Sequence, residues 1–205
     1  LGKKEILSLY RRFLTKFFDE LDEDFLISEA AVRWLIAKEI CSCYGLYDDK
    51  KHLLCFGIFI NDKEKRVMLL DYFVVLKKYR GYNYPEIFFE MLKEMFNDEA
   101  AEDNCVNLPL GIFIELMGVE GISEKKLEER QREINFYRGL GAYITDIVPA
   151  FSEAEYNIMF LPVKSRPSRS ELKSEFLNIY KEILPSFKDK KKYITRLTEE
   201  VDGLV

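Results

Sequence analysis

VMLLDYFVVL, residues 67–76, runs straight into KKYRGYNYP, 77–85, and then EIFFEMLKEMF, 86–96. The first stretch is almost wholly apolar and rich in branched and aromatic residues, with polar residues on either side. Its length and pattern predict a strand buried on both faces. Asp71 is its only charged residue. Pro85 suits the first position of a helix, and Ile87, Phe88, Met91, Leu92 and Met95 recur at helical spacing along one face. A strand, a basic loop and a helix in succession gather backbone N–H groups and positive dipole potential at the helix start. Gly81 lets the backbone approach an anion, Arg80 is suited to pairing with phosphate, and Asn83 is suited to the positive φ such a turn needs. A plain structural strand-to-helix turn is the competing reading.

Outward from this unit, residues 3–20 carry apolar side chains at helical spacing, and Ser28 offers an N-cap for a second helix over 31–38. The runs 40–47 and 52–60, separated by Asp48–Lys51, read as a β-hairpin. Residues 110–119 (LGIFIELMGV) read as another buried strand. Ser123 caps a charged helix to about Arg138, which Gly139 and Gly141 end. Residues 142–149 and 156–163 look like two closing strands. KSRPSRS, 164–170, is the one linker-like stretch, and helices over 171–184 and 190–201 follow it. The order implies an α/β fold: a mixed, mostly antiparallel sheet flanked by helices. Residues 1–163 form the main domain and 164–205 a helical appendage packed on it, because Leu172, Phe176, Leu177, Ile179, Tyr180, Ile183 and Leu184 make too wide an apolar stripe for a free helix.

The 205 residues carry a net charge of −5, which argues against general nucleic-acid binding. The acid excess lies before Lys164; it reads as a solvated surface, with attraction of a cationic substrate as the alternative. Cys41, Cys43, Cys55 and Cys105 show no pairing pattern and read as reduced thiols of a cytoplasmic protein. Cys41 and Cys43 with the single His52 are too few ligands for a metal site. No signal peptide is read at the start, and no apolar run is long enough to cross a membrane.

A second motif lies about fifty residues downstream: RQREINFYRGLGA, 130–142. Tyr79-Arg80-Gly81 after a buried strand, and Phe136-Tyr137-Arg138-Gly139-Leu140-Gly141-Ala142 at the end of a later helix, together resemble the GNAT superfamily of acetyl-CoA-dependent N-acetyltransferases over roughly residues 28–163. The resemblance implies a GNAT-like sheet, acetyl-CoA as acyl donor, and direct attack of an amine on its thioester. It makes Tyr137 the donor to the departing thiolate; a core tyrosine beside Phe136 is the alternative. It makes Asp71 the base, since many members carry an acid in that strand. A carboxylate bonded to a neighbouring tyrosine or arginine competes with that role, and Glu115 is the runner-up. By the same resemblance Phe73, Val74 and Val75 offer backbone to the pantetheine arm, and Arg80, Gly81, Tyr82, Asn83, Tyr84, Pro85 and Phe136 line the rest of the cofactor site.

The expected acceptor is a small-molecule or peptide amine, with no nucleic acid and no membrane as partner, and homodimerisation is left open. Asn83 and Pro85 stand where the family's loop carries small residues. They favour, as the alternative function, an acyl-CoA-binding sensor of the same fold.

Overall fold

Alternating and continuous apolar runs in the middle of the chain build one sheet, and the amphipathic segments between them cover it. The computed structural model describes residues 1–14, 29–61, 66–102, 109–117, 123–147 and 156–183. Six strands occur among these: β1 Cys41–Tyr47, β2 Leu53–Asn61, β3 Val67–Val75, β4 Gly111–Met117, β5 Tyr143–Ile144 and β6 Tyr156–Pro162. Their order is β1-β2-β3-β4-β6-β5. Only β3 and β4 run parallel; the other neighbours are antiparallel. The parallel pair needs a crossover, which α3 (Tyr84–Glu102) supplies. The remaining helices are α1 Lys3–Leu9, which continues as a π-helical turn over Tyr10–Leu14, α2 Glu29–Ala37, α4 Glu124–Gly139 and α5 Arg169–Ile183.

The helices divide between the two faces. Met68, Leu70, Ile112, Ile114 and Leu116 point to one side and pack with Phe88, Phe89, Leu92 and Phe96 of α3 and with Ile134 and Tyr137 of α4. Val67, Leu69 and Phe113 point to the other, where α5 lays down Leu172, Phe176, Ile179, Tyr180 and Ile183. On that same side Ile6 and Tyr10 meet Val32, Ile36, Phe56 and Ile58. Within the segment 164–205, the described helix α5 packs against this face. Arg66 anchors it electrostatically, donating to Glu175 at 2.6 Å and to Glu171 at 2.9 Å. Phe176 is 2% exposed, with its ring 5.2 Å from Phe113 and 4.8 Å from Tyr180. Phe176→Ala is therefore expected to cost about 3–5 kcal/mol, read as a lower urea midpoint. An unchanged midpoint would mean that α5 does not seal this face.

Several boundaries differ from the sequence expectations for local reasons. The hairpin closes through Asp48, whose carboxylate accepts from the backbone N–H of Lys50 at 3.0 Å and of His52 at 2.7 Å. Among the described residues, the strand expected over 142–149 pairs at Tyr143–Ile144 and not beyond. Thr145 then donates its hydroxyl to the Ile158 carbonyl at 2.8 Å and accepts from Ile147 N–H at 3.3 Å, which turns the chain away. Ser123 caps α4 as expected, accepting from Lys126 N–H. The Ser28 cap and the helix expected over 190–201 lie outside the described residues. No helix of the described residues is long and apolar enough to cross a membrane.

Candidate active site

The strand expected to be buried throughout is buried only in its first half. Residues 67–70 are buried and 71–76 are half-buried. The cause is β4. It pairs with β3 from Val67↔Gly111 to Leu70↔Ile114 and no further. Beyond that point β3 is held by β2 alone and β4 by β6 alone. The two parallel strands part, and their facing backbone edges have no strand partner.

Asp71 stands at the parting. In the β2–β3 ladder Ile58 faces Tyr72 while Phe59 faces Leu70, so Asp71 is the extra residue of a β-bulge. The bulge sends Tyr72 and Val74 toward α1 and α2, and Phe73 and Val75 toward α3. The Oδ2 atom of Asp71 is buried and has no hydrogen-bond partner. Burial, and then the negative charge of Glu115, pushes its carboxyl up to about 7. Glu115 is the first β4 residue past the last β3 pair. Burial lifts it to about 7 as well, held back by a hydrogen bond donated to its Oε1 by the Tyr180 hydroxyl of α5. Tyr10 and Cys41 also feel Asp71. Both titrate high, from burial first and the Asp71 charge second, Cys41 at about 12. A base poised near neutrality is what proton removal from an amine calls for.

Tyr137 lies on the opposite face. Its ring stands edge-on to Phe136 at 5.0 Å and to Phe89 at 5.9 Å, and Phe89 in turn touches Phe73 of β3 at 5.0 Å. Burial first, and the nearby Glu133 second, hold its phenol well above the ordinary range, so it stays protonated and is available as a donor. The structure therefore brings Asp71 together with Glu115 and sets Tyr137 across the sheet from them, with the parted strands between.

At the end of β3 the chain turns through Lys77–Tyr79 into Arg80 and α3. Arg80 Nε donates to the Val75 carbonyl at 3.2 Å. The positive φ expected at Asn83 belongs instead to Gly81, at 84°. An added Cβ there would meet nothing within 4 Å, so this glycine is needed for backbone conformation rather than space. The first helical bond of α3 runs from Ile87 N–H to the Asn83 carbonyl at 3.2 Å. The N–H groups of Tyr84 and Glu86 precede that ladder, and Pro85 has none. The Tyr84 ring stands edge-on to Tyr79, at 6.0 Å, and tilted against the exposed Tyr82, at 5.5 Å. Lys78 Nζ sits 4.4 Å above the Tyr79 ring.

Beside this loop a groove of about 380 Å³ runs between α3 and α4, lined by Phe89, Phe136, Asn135, Lys93, Glu86 and Glu90 among others. Phe136 is among the residues expected at the cofactor site; the acidic pair Glu86 and Glu90 is not, since only the contact of two helices brings it into one groove. Tyr180 was also missed as a site residue. Helical periodicity counted its ring in an apolar stripe and carried no signal for where its hydroxyl would go.

No family model and no curated protein matches the sequence. Among solved structures, the chain is similar to an aminoglycoside 6'-N-acetyltransferase complexed with coenzyme A, with a TM-score of 0.51 and 17% identity over 81% of this chain and 93% of that one. It is also similar to Arabidopsis thaliana NAA60 in complex with acetyl-CoA, with a TM-score of 0.50 and 6% identity over 80% of this chain and 94% of that one.

Proposed function

From the premise that this chain has the GNAT fold, we propose that it is an N-acetyltransferase moving the acetyl group of acetyl-CoA to a primary amine. One observation carries the reading. Two parallel strands part at a buried carboxylate, with a second carboxylate beside it, a protonated phenol across the sheet, and a basic loop at the mouth.

The residues present fit acetyl-CoA in two places. The β4-facing edge of Phe73–Val75 has no strand partner, so apart from the Val75 carbonyl, which Arg80 occupies, its backbone is open to the amides of an extended pantetheine arm. Lys77, Lys78 and Arg80, with the N–H groups of Tyr84 and Glu86, suit a pyrophosphate. Pro85 removes one donor, and the Glu86 carboxylate, whose Oε2 is buried without a partner, opposes an anion nearby. Affinity in the micromolar range, about −7 to −8 kcal/mol, is what this balance leads us to expect.

Bound acetyl-CoA supplies an acetyl group activated as a thioester. Asp71 takes one proton from the incoming ammonium, freeing the nitrogen lone pair for the acyl carbon. Tyr137 gives its proton to the sulfur as the C–S bond breaks, and recovers one from the newly bonded nitrogen by way of solvent. Asp71 then loses its proton to solvent. The net change is amine acetylated, thiol released and one proton shed by the ammonium.

Titration calorimetry with acetyl-CoA tests the cofactor directly. Arg80→Ala should weaken binding by about 1.5–3 kcal/mol, the scale of a charge-assisted hydrogen bond, with the fold intact because the residue is exposed. No heat with wild type at millimolar acetyl-CoA overturns the proposal. An unchanged constant in Arg80→Ala moves the phosphates elsewhere. Binding without turnover across a broad amine panel would favour an acyl-CoA sensor instead.

A further inference from the structure

The face of the sheet that carries Asp71 and Glu115 is covered in part by α5, which is held there by Phe176 and by the Arg66 pairs with Glu171 and Glu175. From that helix one hydroxyl descends into the parting of β3 and β4, and it donates to Glu115 rather than to Asp71. The two carboxylates therefore have unequal surroundings. Glu115 has a donor on its Oε1, whereas the Oδ2 of Asp71 has no partner. A hydrogen bond donated to a carboxylate favours its charged form.

We propose that Tyr180 is a positioning residue of the acceptor site: it keeps the negative charge of the pair on Glu115, which holds the acceptor's ammonium, and leaves Asp71 as the carboxyl group that accepts the proton. The proposal rests on the acetyl-transfer reading above and adds to it the role of the C-terminal helix. Two carboxylates at one site do not ionise independently, so whichever has the better donor keeps its charge at lower pH. Among the described residues, the other titratable groups that feel the Asp71 charge are Tyr10 from the π-helical turn and Cys41 from β1. Both titrate high and stay neutral at physiological pH. The acceptor this arrangement suits is a primary alkyl amine arriving protonated. Its charge meets Glu115 while one N–H faces Asp71.

Tyr180→Phe is the test, because it keeps the ring against Phe176 and removes only the hydroxyl. Without the donor, the proton of the pair settles on Glu115, and Asp71, relieved of a charged neighbour, ionises more readily. Carboxyl-carbon NMR titration of the protein without substrates should show Glu115 moving up and Asp71 moving down by about one pH unit, the scale of one hydrogen bond to a charged group. In turnover, KM for the amine should rise by about tenfold, the kcat limb at acid pH should shift to lower pH, and kcat at its plateau should hold within about threefold. A tyrosine that served only through the packing of its ring would move neither limb nor titration.

Unchanged titrations in Tyr180→Phe overturn the proposal whatever the activity. If that variant fails to fold, Glu115→Gln takes its place: Asp71 should then titrate lower, and an unmoved Asp71 overturns the pairing. Should wild type acetylate no amine, the enzymatic reading fails, while the carboxyl titrations still decide whether Tyr180 divides the pair.

Discussion

Asp71→Asn is expected to lower kcat/KM for the amine by about 10²–10⁴ at pH 8 and, in the same protein, to raise the unfolding midpoint. The kinetic half follows from the proposed role of Asp71 as proton acceptor. The thermodynamic half follows from the cost of the native residue. In the folded chain Asp71 titrates at about 7 against an ordinary value of 3.8, because burial and Glu115 oppose its charge. Between those values the folded state binds more protons than the unfolded one, so stability falls as pH rises across that window. Asn carries no charge and escapes the loss. The gain should be absent near pH 4, grow toward pH 7 and level off above it, on the order of 1–3 kcal/mol for one unpaired buried group. Wild-type activity should follow the same group, rising with pH to about 7 and then flattening. Urea midpoints at pH 5 and pH 8 with a pH–rate profile check both halves. A variant that is inactive and also less stable at pH 8 would make Asp71 a structural residue whose partner the site conceals.

Tyr137→Phe is the second large effect. If the phenol protonates the departing thiolate, kcat should fall by roughly 10². Acetyl-CoA affinity should hold, because the edge-on contacts with Phe136 and Phe89 are made by the ring. No hydrogen bond to the hydroxyl occurs among the described residues, so stability should change by about 1 kcal/mol or less. A donor series sharpens the test. With acetyl thioesters whose thiols are more acidic the leaving group needs less help, and the gap between Phe and Tyr should close. A gap that stays constant across leaving groups would remove the proton-donor role, and wild-type kcat in the variant under chemistry-limited conditions would do so outright.

The sheet and its helices were readable because burial imposes periodicity: the order of elements follows from where apolar residues recur, and the Ser123 cap from the side chain's fitness to accept from the first helical N–H groups. The site was readable in part. Asp71 stood out as one acid in an apolar strand, and its position in the bulge gives the reason. The bulge itself was invisible, since the extra residue is defined only against β2. For the same reason the continuous apolar run suggested burial to Leu76, where the structure leaves the strand half open past Leu70. Asn83 was assigned a positive φ from its propensity alone, but the turn places that strain two residues earlier, on Gly81, where it costs least. Glu115 was only a runner-up because sequence separation hides that β4 sets it beside Asp71. Tyr180 had no signal of its own: a tyrosine in an apolar stripe reads as a ring.

The contacts of α5 also bear on the order in which the molecule assembles. Tyr180 reaches Glu115 across a sequence separation of 65 residues, and Arg66 reaches Glu175 across 109. Closures of that span form late, since the chain entropy they cost is recovered only after the local elements are in place. On a ribosome the segment 169–183 emerges after every strand of the sheet. The nascent domain thus carries Glu115 without the Tyr180 hydroxyl until α5 docks, so the proposed division of charge between the two carboxylates waits on that docking.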